Sequence, residues 1–103
     1  MFSIEWIQKK AQVGADSFSK HAEQERQNDD LLLTEIREAL LNGMILEQYP
    51  DTGRGECCLV VGFTNQGKPI HIVCGERNDR LVIITVYIPS PPKFKNPYER
   101  GRA

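Results

Sequence analysis

Three apolar runs in the second half of the chain constrain its fold more than any other feature. They cover residues 56–64, 68–74 and 81–88, and polar turn residues separate them. Isoleucine and valine dominate the runs, and these residues fit the pleated, half-buried surface of a strand. The sequence therefore predicts consecutive strands joined by hairpin turns, in a mainly antiparallel sheet.

The middle run carries a histidine, His71, among isoleucines and valines. Two-residue alternation puts Ile70 and Ile72 on one face of this strand and His71 on the other. If residues 66–67 form a two-residue hairpin loop, Gly62 lies opposite His71 and leaves the imidazole uncovered. We therefore expect His71 to face outward, away from the apolar layer.

The third run extends the same sheet after the polar segment 77–79. A three-residue turn there puts Ile83, Thr85 and Tyr87 beside His71. The core face of this strand then carries Val82, Ile84 and Val86. A shift of one residue in the register of this strand would exchange the two sets of side chains between the faces of the sheet.

The first half of the chain has helical patterns. A first helix is predicted over residues 3–12 with Ser3 as its cap, and a second from Ser17 or Ser19 to Arg26. A third is predicted from Leu31 or Thr34 to Asn42, with Gly43 as a left-handed stop. Residues 44–49 follow as an edge strand, which ends at a turn over residues 50–53. The predicted fold class is α+β: two to three N-terminal helices packed on one face of a four-stranded, mainly antiparallel sheet.

A single domain is predicted over residues 1–90, and residues 91–103 form a Pro-rich basic tail. Its prolines exclude regular ladders, and its cations alternate with Phe94 and Tyr98. The cations are Lys93, Lys95, Arg100 and Arg102. Basic residues interleaved with aromatics bind single-stranded nucleic acid through phosphate attraction and base stacking. The alternative for this tail is a frayed terminus or an arm on a protein partner.

Charge and cysteine content bound the function classes. Residues 1–52 hold 5 Lys and Arg against 10 Asp and Glu, whereas residues 53–103 hold 8 against 4, which suits an anionic ligand on the sheet side.

Cys57, Cys58 and Cys74 lie in apolar runs without metal-ligand spacing, so they are predicted to be reduced core residues. No signal peptide and no bilayer-length apolar run is present, so we expect a cytoplasmic protein without a membrane partner. Neither a metal nor a cofactor is predicted.

Several ordered motifs over residues 17–90 carry a resemblance to a known family. They are Ser19-Lys20-His21-Ala22 with Arg26, Ala39-Leu40-Leu41-Asn42-Gly43, Ile45-Leu46-Glu47-Gln48-Tyr49-Pro50-Asp51, Pro69-Ile70-His71-Ile72-Val73, and Ile83-Ile84-Thr85-Val86-Tyr87-Ile88-Pro89. With these motifs the chain resembles family 4258 of the domains of unknown function, which is bacterial. It departs from that family at Cys57-Cys58, where a serine is familiar, and in a tail without tryptophan.

The resemblance implies a fold and an activity. Family members look like relatives of the RelE and MqsR type toxins, small α+β ribonucleases that cleave messenger RNA. Such toxins are often encoded beside a zinc-finger or helix-turn-helix antitoxin, and they bind RNA on the sheet face opposite their helices. The resemblance therefore implies a RelE-like fold, RNA as substrate and an antitoxin protein as partner.

Metal-independent RNA cleavage needs a base for the 2′-hydroxyl, an acid for the leaving oxygen, and cations on the phosphate. Histidine suits either proton role, so His71 is the candidate acid or base and Tyr87 a second proton-transfer or positioning group. His21 and Arg26 can complete the pocket if the second helix packs over the sheet edge. The further candidate phosphate-binding residues are Arg77, Arg80, Lys93 and Lys95.

A second function stays open beside the ribonuclease. His71 can instead be a hydrogen-bonded structural residue, and the chain a non-catalytic RNA- or protein-binding module. Likewise, His21 and Arg26 can anchor the second helix, and Tyr87 can be rim packing. The ribonuclease requires a solvent-open space shared by His71, Tyr87 and an arginine, whereas a binding module tolerates a buried, satisfied His71. The sequence indicates no oligomeric state.

Overall fold

The computed structural model of the protein describes residues 1–51, 53 and 55–101. Thr52 of the predicted turn and Arg102 of the predicted basic tail lie outside the described residues. The helices are α1 (Ile4–Gln12), α2 (Lys20–Asn28) and α3 (Leu33–Leu41). The strands are β1 (Asp16–Phe18), β2 (Met44–Tyr49), β3 (Cys57–Phe63), β4 (Pro69–Arg77), β5 (Arg80–Tyr87), β6 (Phe94–Asn96) and β7 (Glu99–Arg100). In the described part of the chain, no helix is long and apolar enough to cross a bilayer.

α1 and α2 begin at predicted caps, whereas α3 begins after Leu32, between the predicted Leu31 and Thr34. The Ser3 hydroxyl accepts a hydrogen bond from the Trp6 amide at 3.2 Å, and the Ser19 hydroxyl caps α2 in the same way through the Ala22 amide at 3.0 Å. The end of α3 differs from the prediction. Gly43 does not have a positive φ, and a Cβ there would lie only 2.7 Å from the Ala39 carbonyl oxygen. Close packing, and not a left-handed stop, therefore explains this glycine.

The sheet has five strands in the order β1-β5-β4-β3-β2, with a parallel β1–β5 pair, and β6–β7 form a separate two-stranded sheet. The predicted four-stranded, mainly antiparallel sheet with N-terminal helices on one face is therefore wrong. The three residues of β1 are too few for an alternating pattern, and a second helix that starts at Ser17 overlaps this strand. The prolines do not exclude a ladder in the tail, because they precede β6 or lie in the β6–β7 turn.

The β3–β4 hairpin places the residues around His71. Its loop covers residues 64–68 and is closed by the Thr64 amide on the Lys68 carbonyl at 2.9 Å, so it is longer than the predicted two-residue loop. Val61 therefore lies opposite His71, and the predicted pairing of Gly62 with His71 is wrong. A Cβ on Gly62 would lie 1.8 Å from the Ala39 carbonyl oxygen. This glycine lets α3 approach the sheet, on the face opposite His71.

The β4–β5 hairpin has a two-residue turn, Asn78-Asp79, in which both residues have positive φ values of 52° and 62°. A register shift follows between Val73 and Cys74, and it leaves Ile84 without a partner in the ladder. Beyond this bulge Tyr87 pairs with His71, as predicted. Before it the alternation is reversed, so that Ile83 is buried in the core.

The core lies between the helices and one face of the sheet. Its members are Ile7, Ala11, Ala22, Leu31, Ile36, Ala39, Leu40, Cys58, Val60, Ile70, Ile72, Cys74, Leu81, Ile83 and Val86. All three helices contribute to this layer. α2 contributes Ala22 and lies beside β5, where Glu25 accepts a hydrogen bond from the Val86 amide at 3.1 Å. The β6–β7 hairpin packs on the opposite face of the sheet, where its Phe94 is 1% exposed.

Candidate functional site

His71 lies on the sheet face that carries no helix, and its side chain is fully buried there. Its Nδ1 is 3.2 Å from the Tyr87 hydroxyl, and its Nε2 is 2.7 Å from the Pro97 carbonyl oxygen. The Phe94 ring stands edge-on to the imidazole, with the ring centroids 4.4 Å apart. The face of His71 is thus the expected one, but the C-terminal segment covers the ring and engages both nitrogens. The imidazole is therefore not uncovered as predicted, and the solvent-open space that the ribonuclease requires is closed in this structure.

These contacts fix the proton on the imidazole. A carbonyl oxygen only accepts, so Nε2 must carry the proton that is donated to Pro97, and Nδ1 accepts from the Tyr87 hydroxyl. Burial lowers the pKa of His71, against the opposing effect of the Pro97 carbonyl, and burial raises the pKa of Tyr87. At neutral pH His71 is therefore a neutral base and Tyr87 a protonated acid.

An ion pair lies next to this pair of residues. Arg100 of β7 donates from Nε and Nη2 to the two carboxylate oxygens of Glu47 in β2, at 2.9 and 2.8 Å. The Tyr49 hydroxyl also donates to Glu47. Arg100 holds the pKa of Glu47 below its usual value, and burial, assisted by Glu47, raises the pKa of Tyr49 to about 12. We call Glu47, Tyr49, His71, Tyr87 and Arg100 the covered centre.

Two of the predicted phosphate-binding lysines lie on the same hairpin but differ in position. The ammonium of Lys93 is 5.3 Å from the centroid of the Tyr87 ring, so this cation borders the covered centre. Lys95 pairs with Glu99 at 3.0 Å, within the hairpin itself. The structure therefore brings Lys93, but not Lys95, to His71 and Tyr87.

Arg77 and Arg80 close the β4–β5 turn, at the other end of these strands. Arg77 is six residues along β4 from His71, which corresponds to about 20 Å in an extended strand. Arg80 donates to the Asp16 carbonyl at 3.0 Å. These two predicted phosphate-binding residues do not share a space with His71.

The predicted residues of α2 lie apart from the covered centre as well. His21 has a 68% exposed side chain, with its Nε2 3.3 Å from Glu25. Arg26 forms an ion pair with Glu23 and donates to the Leu31 carbonyl at 3.1 Å. α2 does lie beside β5. Its His21 and Arg26 side chains, however, contact residues of α2 itself and of the segment that follows it, and not the covered centre.

Sequence reasoning did not identify Glu47, Tyr49 and Arg100 as site residues. Glu47 and Tyr49 are two residues apart in an edge strand and therefore share one face of it. A polar face on that strand could have indicated these two site residues. Arg100 gave no comparable signal, because its partner Glu47 is 53 residues away. Only the docking of the tail brings them together.

The described residues offer two further observations on ligand sites. They include no group of three His, Cys, Asp or Glu side chains that could hold a metal ion. A cavity of about 520 Å³ lies between the N-terminus and the β4–β5 turn, and carboxylates line it together with Phe2 and Trp6. The carboxylates belong to Asp51, Glu56, Glu76 and Asp79. None of the predicted site residues borders this acidic cavity.

Comparison with known proteins places the chain in a family. No curated protein and no solved structure matches the sequence. A family model matches residues 18–88. This span runs from the last residue of β1 to the residue after β5, and it contains every residue of the covered centre except Arg100. The chain therefore belongs to the family described as a domain of unknown function, DUF4258.

Proposed function

We propose that the protein is a toxin-like, metal-independent endoribonuclease that cleaves messenger RNA. The observation that carries the proposal is the direct hydrogen bond between His71 and Tyr87 on the helix-free sheet face, with cations beside it. The opposite pKa shifts of the two groups support it, since a lowered histidine pKa and a raised tyrosine pKa separate base from acid. The resemblance to RelE and MqsR type toxins supplies the reaction class.

The reaction would proceed by transfer of the phosphodiester to the adjacent ribose oxygen. Once the Pro97 carbonyl leaves Nε2, the imidazole with its proton on Nδ1 can take the proton of the 2′-hydroxyl at Nε2, while the 2′-oxygen bonds to phosphorus and the bond to the 5′-oxygen breaks. The Tyr87 hydroxyl can supply the proton that the leaving oxygen needs, and the imidazolium returns its proton to the tyrosinate. The products are a 2′,3′-cyclic phosphate and a 5′-hydroxyl end. No oxidant or other co-reactant is required.

Cations near the base would stabilise the charge that develops on the phosphate. The ammonium of Lys93 is 5.3 Å from the centroid of the Tyr87 ring, and Arg100, 4.9 Å from the centroid of the Phe94 ring, could bind phosphate oxygens in place of Glu47. The second half of the sequence is also basic, with eight Lys and Arg against four Asp and Glu in residues 53–103.

A second candidate function is a non-catalytic RNA- or protein-binding module. One observation favours it: the His71 ring is 0% exposed and both nitrogens already have partners. A buried, satisfied histidine is what a purely structural role requires. The two functions differ in whether RNA is cut when His71 is accessible.

The partner and the location belong to the same proposal. An antitoxin protein of the zinc-finger or helix-turn-helix class is proposed from the family resemblance alone. A cytoplasmic location is supported by three free thiols, at Cys57, Cys58 and Cys74, which suit a reducing compartment.

Induced expression in bacteria tests the proposal. We expect wild type to arrest growth and deplete intact messenger RNA, and His71→Gln or Tyr87→Phe to relieve both effects. His21→Gln is the matched control, because it removes the other histidine of the chain at an exposed position. Normal growth with intact RNA, at a high level of soluble protein for wild type and also for Glu47→Gln and Phe94→Ala, would remove the toxin function. Equal relief by His21→Gln would show that His71 has no special role.

A further inference from the structure

We propose that the C-terminal hairpin, residues 93–101, is an intramolecular inhibitory cover that occupies the place of single-stranded RNA over His71. This inference rests on the proposed function, since it names how that same site is regulated. RNA and the hairpin would compete for one sheet face, so that the closed form is inactive.

The hairpin offers His71 the kinds of contact that an RNA strand would offer. The Pro97 carbonyl oxygen accepts from Nε2 at 2.7 Å, where a ribose or phosphate oxygen would bind. The Phe94 ring packs edge-on against the imidazole, where a base could lie. Arg100 of the hairpin donates two hydrogen bonds to Glu47 of the sheet, so this cation of the hairpin is occupied in the closed form. Because both imidazole nitrogens have partners, an RNA strand must displace the hairpin to reach the imidazole. Lys93 and Arg100 belong to the hairpin, so they would stabilise the phosphate from its displaced position, once the ion pair with Glu47 is broken.

The hairpin is attached to the five-stranded sheet through side chains and not through a shared backbone ladder. β6 and β7 form their own sheet, and no backbone-to-backbone hydrogen bond joins them to the five-stranded sheet within the described residues. Phe94 is the one fully buried residue among residues 93–101. A segment with so few buried contacts belongs to the low-stability end of a structure, where local opening occurs without global unfolding.

Arg100 and Glu47 are the latch of this cover. Their ion pair ties β7 to the edge strand β2, and both side chains are partly exposed, at 48% and 28%, so that solvent reaches the pair. The second ion pair of the hairpin, Lys95 with Glu99, joins two residues of the hairpin and does not touch the sheet. Neutralising Glu47 should therefore loosen the cover, and neutralising Glu99 should not.

Histidine modification by diethyl pyrocarbonate, followed by mass spectrometry, tests the cover without any assay of RNA cleavage. His21 is exposed and serves as an internal reference in each sample. We expect His71 to react far more slowly than His21 in wild type. Glu47→Gln should raise the relative rate at His71 about fivefold, the size expected from one partly exposed ion pair. Phe94→Ala should raise it further, and the matched variant Glu99→Gln should leave it unchanged.

Binding of a fluorescent single-stranded RNA oligonucleotide to the same four proteins separates this inference from the proposed function. If the cover competes with RNA, Glu47→Gln and Phe94→Ala bind the oligonucleotide more tightly than wild type and Glu99→Gln. An unchanged His71 rate in Glu47→Gln, with the protein still folded, would overturn the cover whatever the RNA result. A raised rate without RNA binding would leave the hairpin as a cover but sink the ribonuclease and the competition with RNA.

Discussion

Burial of the His71 imidazole makes its protonated form energetically unfavourable. The ring is fully buried, and its two nitrogens are bonded to one hydroxyl and one carbonyl. A polar group without such partners would cost about 1–3 kcal/mol when buried, so the two bonds are what make the position tolerable. Protonation would place a charge beside Arg100 and Lys93, and the Pro97 carbonyl and the Glu47 carboxylate offset this cost only in part.

Stability should therefore depend on pH through His71. Burial lowers the pKa of His71 below its ordinary value of 6.5, so the unfolded chain binds more protons than the native one as pH falls. The free energy of unfolding should decrease below about pH 6.5, and urea denaturation at a series of pH values measures this slope. His71→Gln should flatten the slope. Equal slopes in wild type and His71→Gln would contradict the assignment.

Alternation alone predicts the face of His71, because Ile70 and Ile72 flank it and enter the core. The residue opposite it was not predictable in the same way. The hairpin loop is five residues long, and sequence gives no firm reason to choose that length over two. One residue of slip was enough to move Gly62 away from His71.

At the scale of elements, the closest packing in the core is between α3 and β3. Gly62 of β3 has no side chain, and the Ala39 backbone of α3 fills the space where a Cβ would be, 1.8 Å from the carbonyl oxygen. Gly75 of β4 differs, because a Cβ there would meet first the terminal methyl of Ile84, at 2.8 Å. A side chain can rotate away, whereas a helix backbone cannot without shifting the whole helix.

Gly62→Ala should consequently be much more destabilising than Gly75→Ala. Forcing a methyl group against backbone costs about 1–3 kcal/mol or more, and we expect Gly62→Ala to reach the upper end of that range. Gly75→Ala should cost less, because the Ile84 side chain can adjust. Midpoints of urea denaturation for the two variants measure the difference. A Gly62→Ala protein as stable as Gly75→Ala would show that α3 does not approach β3 as described.

The helices and the longer strands were predictable because their periodic patterns extend over several residues and their caps are local. β1 was not, since three residues cannot establish an alternation, and Ser19 within this region also caps α2. The bulge at Ile84 was not predictable either. Its stabilising contact is a hydrogen bond from the Ser19 hydroxyl to the Ile84 carbonyl at 2.8 Å, 65 residues away in sequence.

At the scale of the whole molecule, the sheet separates two environments. One face packs with the helices to form the apolar core, and the other holds the covered centre beneath the C-terminal hairpin. Charge asymmetry along the sequence predicted a basic sheet side. The ion pairs of Arg100 with Glu47 and of Lys95 with Glu99 were not predictable. They neutralise the charges of two cations of the tail that was expected to bind RNA.

The most direct test of the central claim is cleavage of single-stranded RNA by purified protein in the presence of EDTA, with analysis of the product ends. We expect 2′,3′-cyclic phosphate ends, formed slowly by wild type and faster by Glu47→Gln and Phe94→Ala, whose His71 is uncovered. His71→Gln should reduce the rate about 10²- to 10⁴-fold, the usual contribution of a general acid or base. Intact RNA with wild type and with both uncovered variants, once modification has shown their His71 to be accessible, would contradict the ribonuclease account.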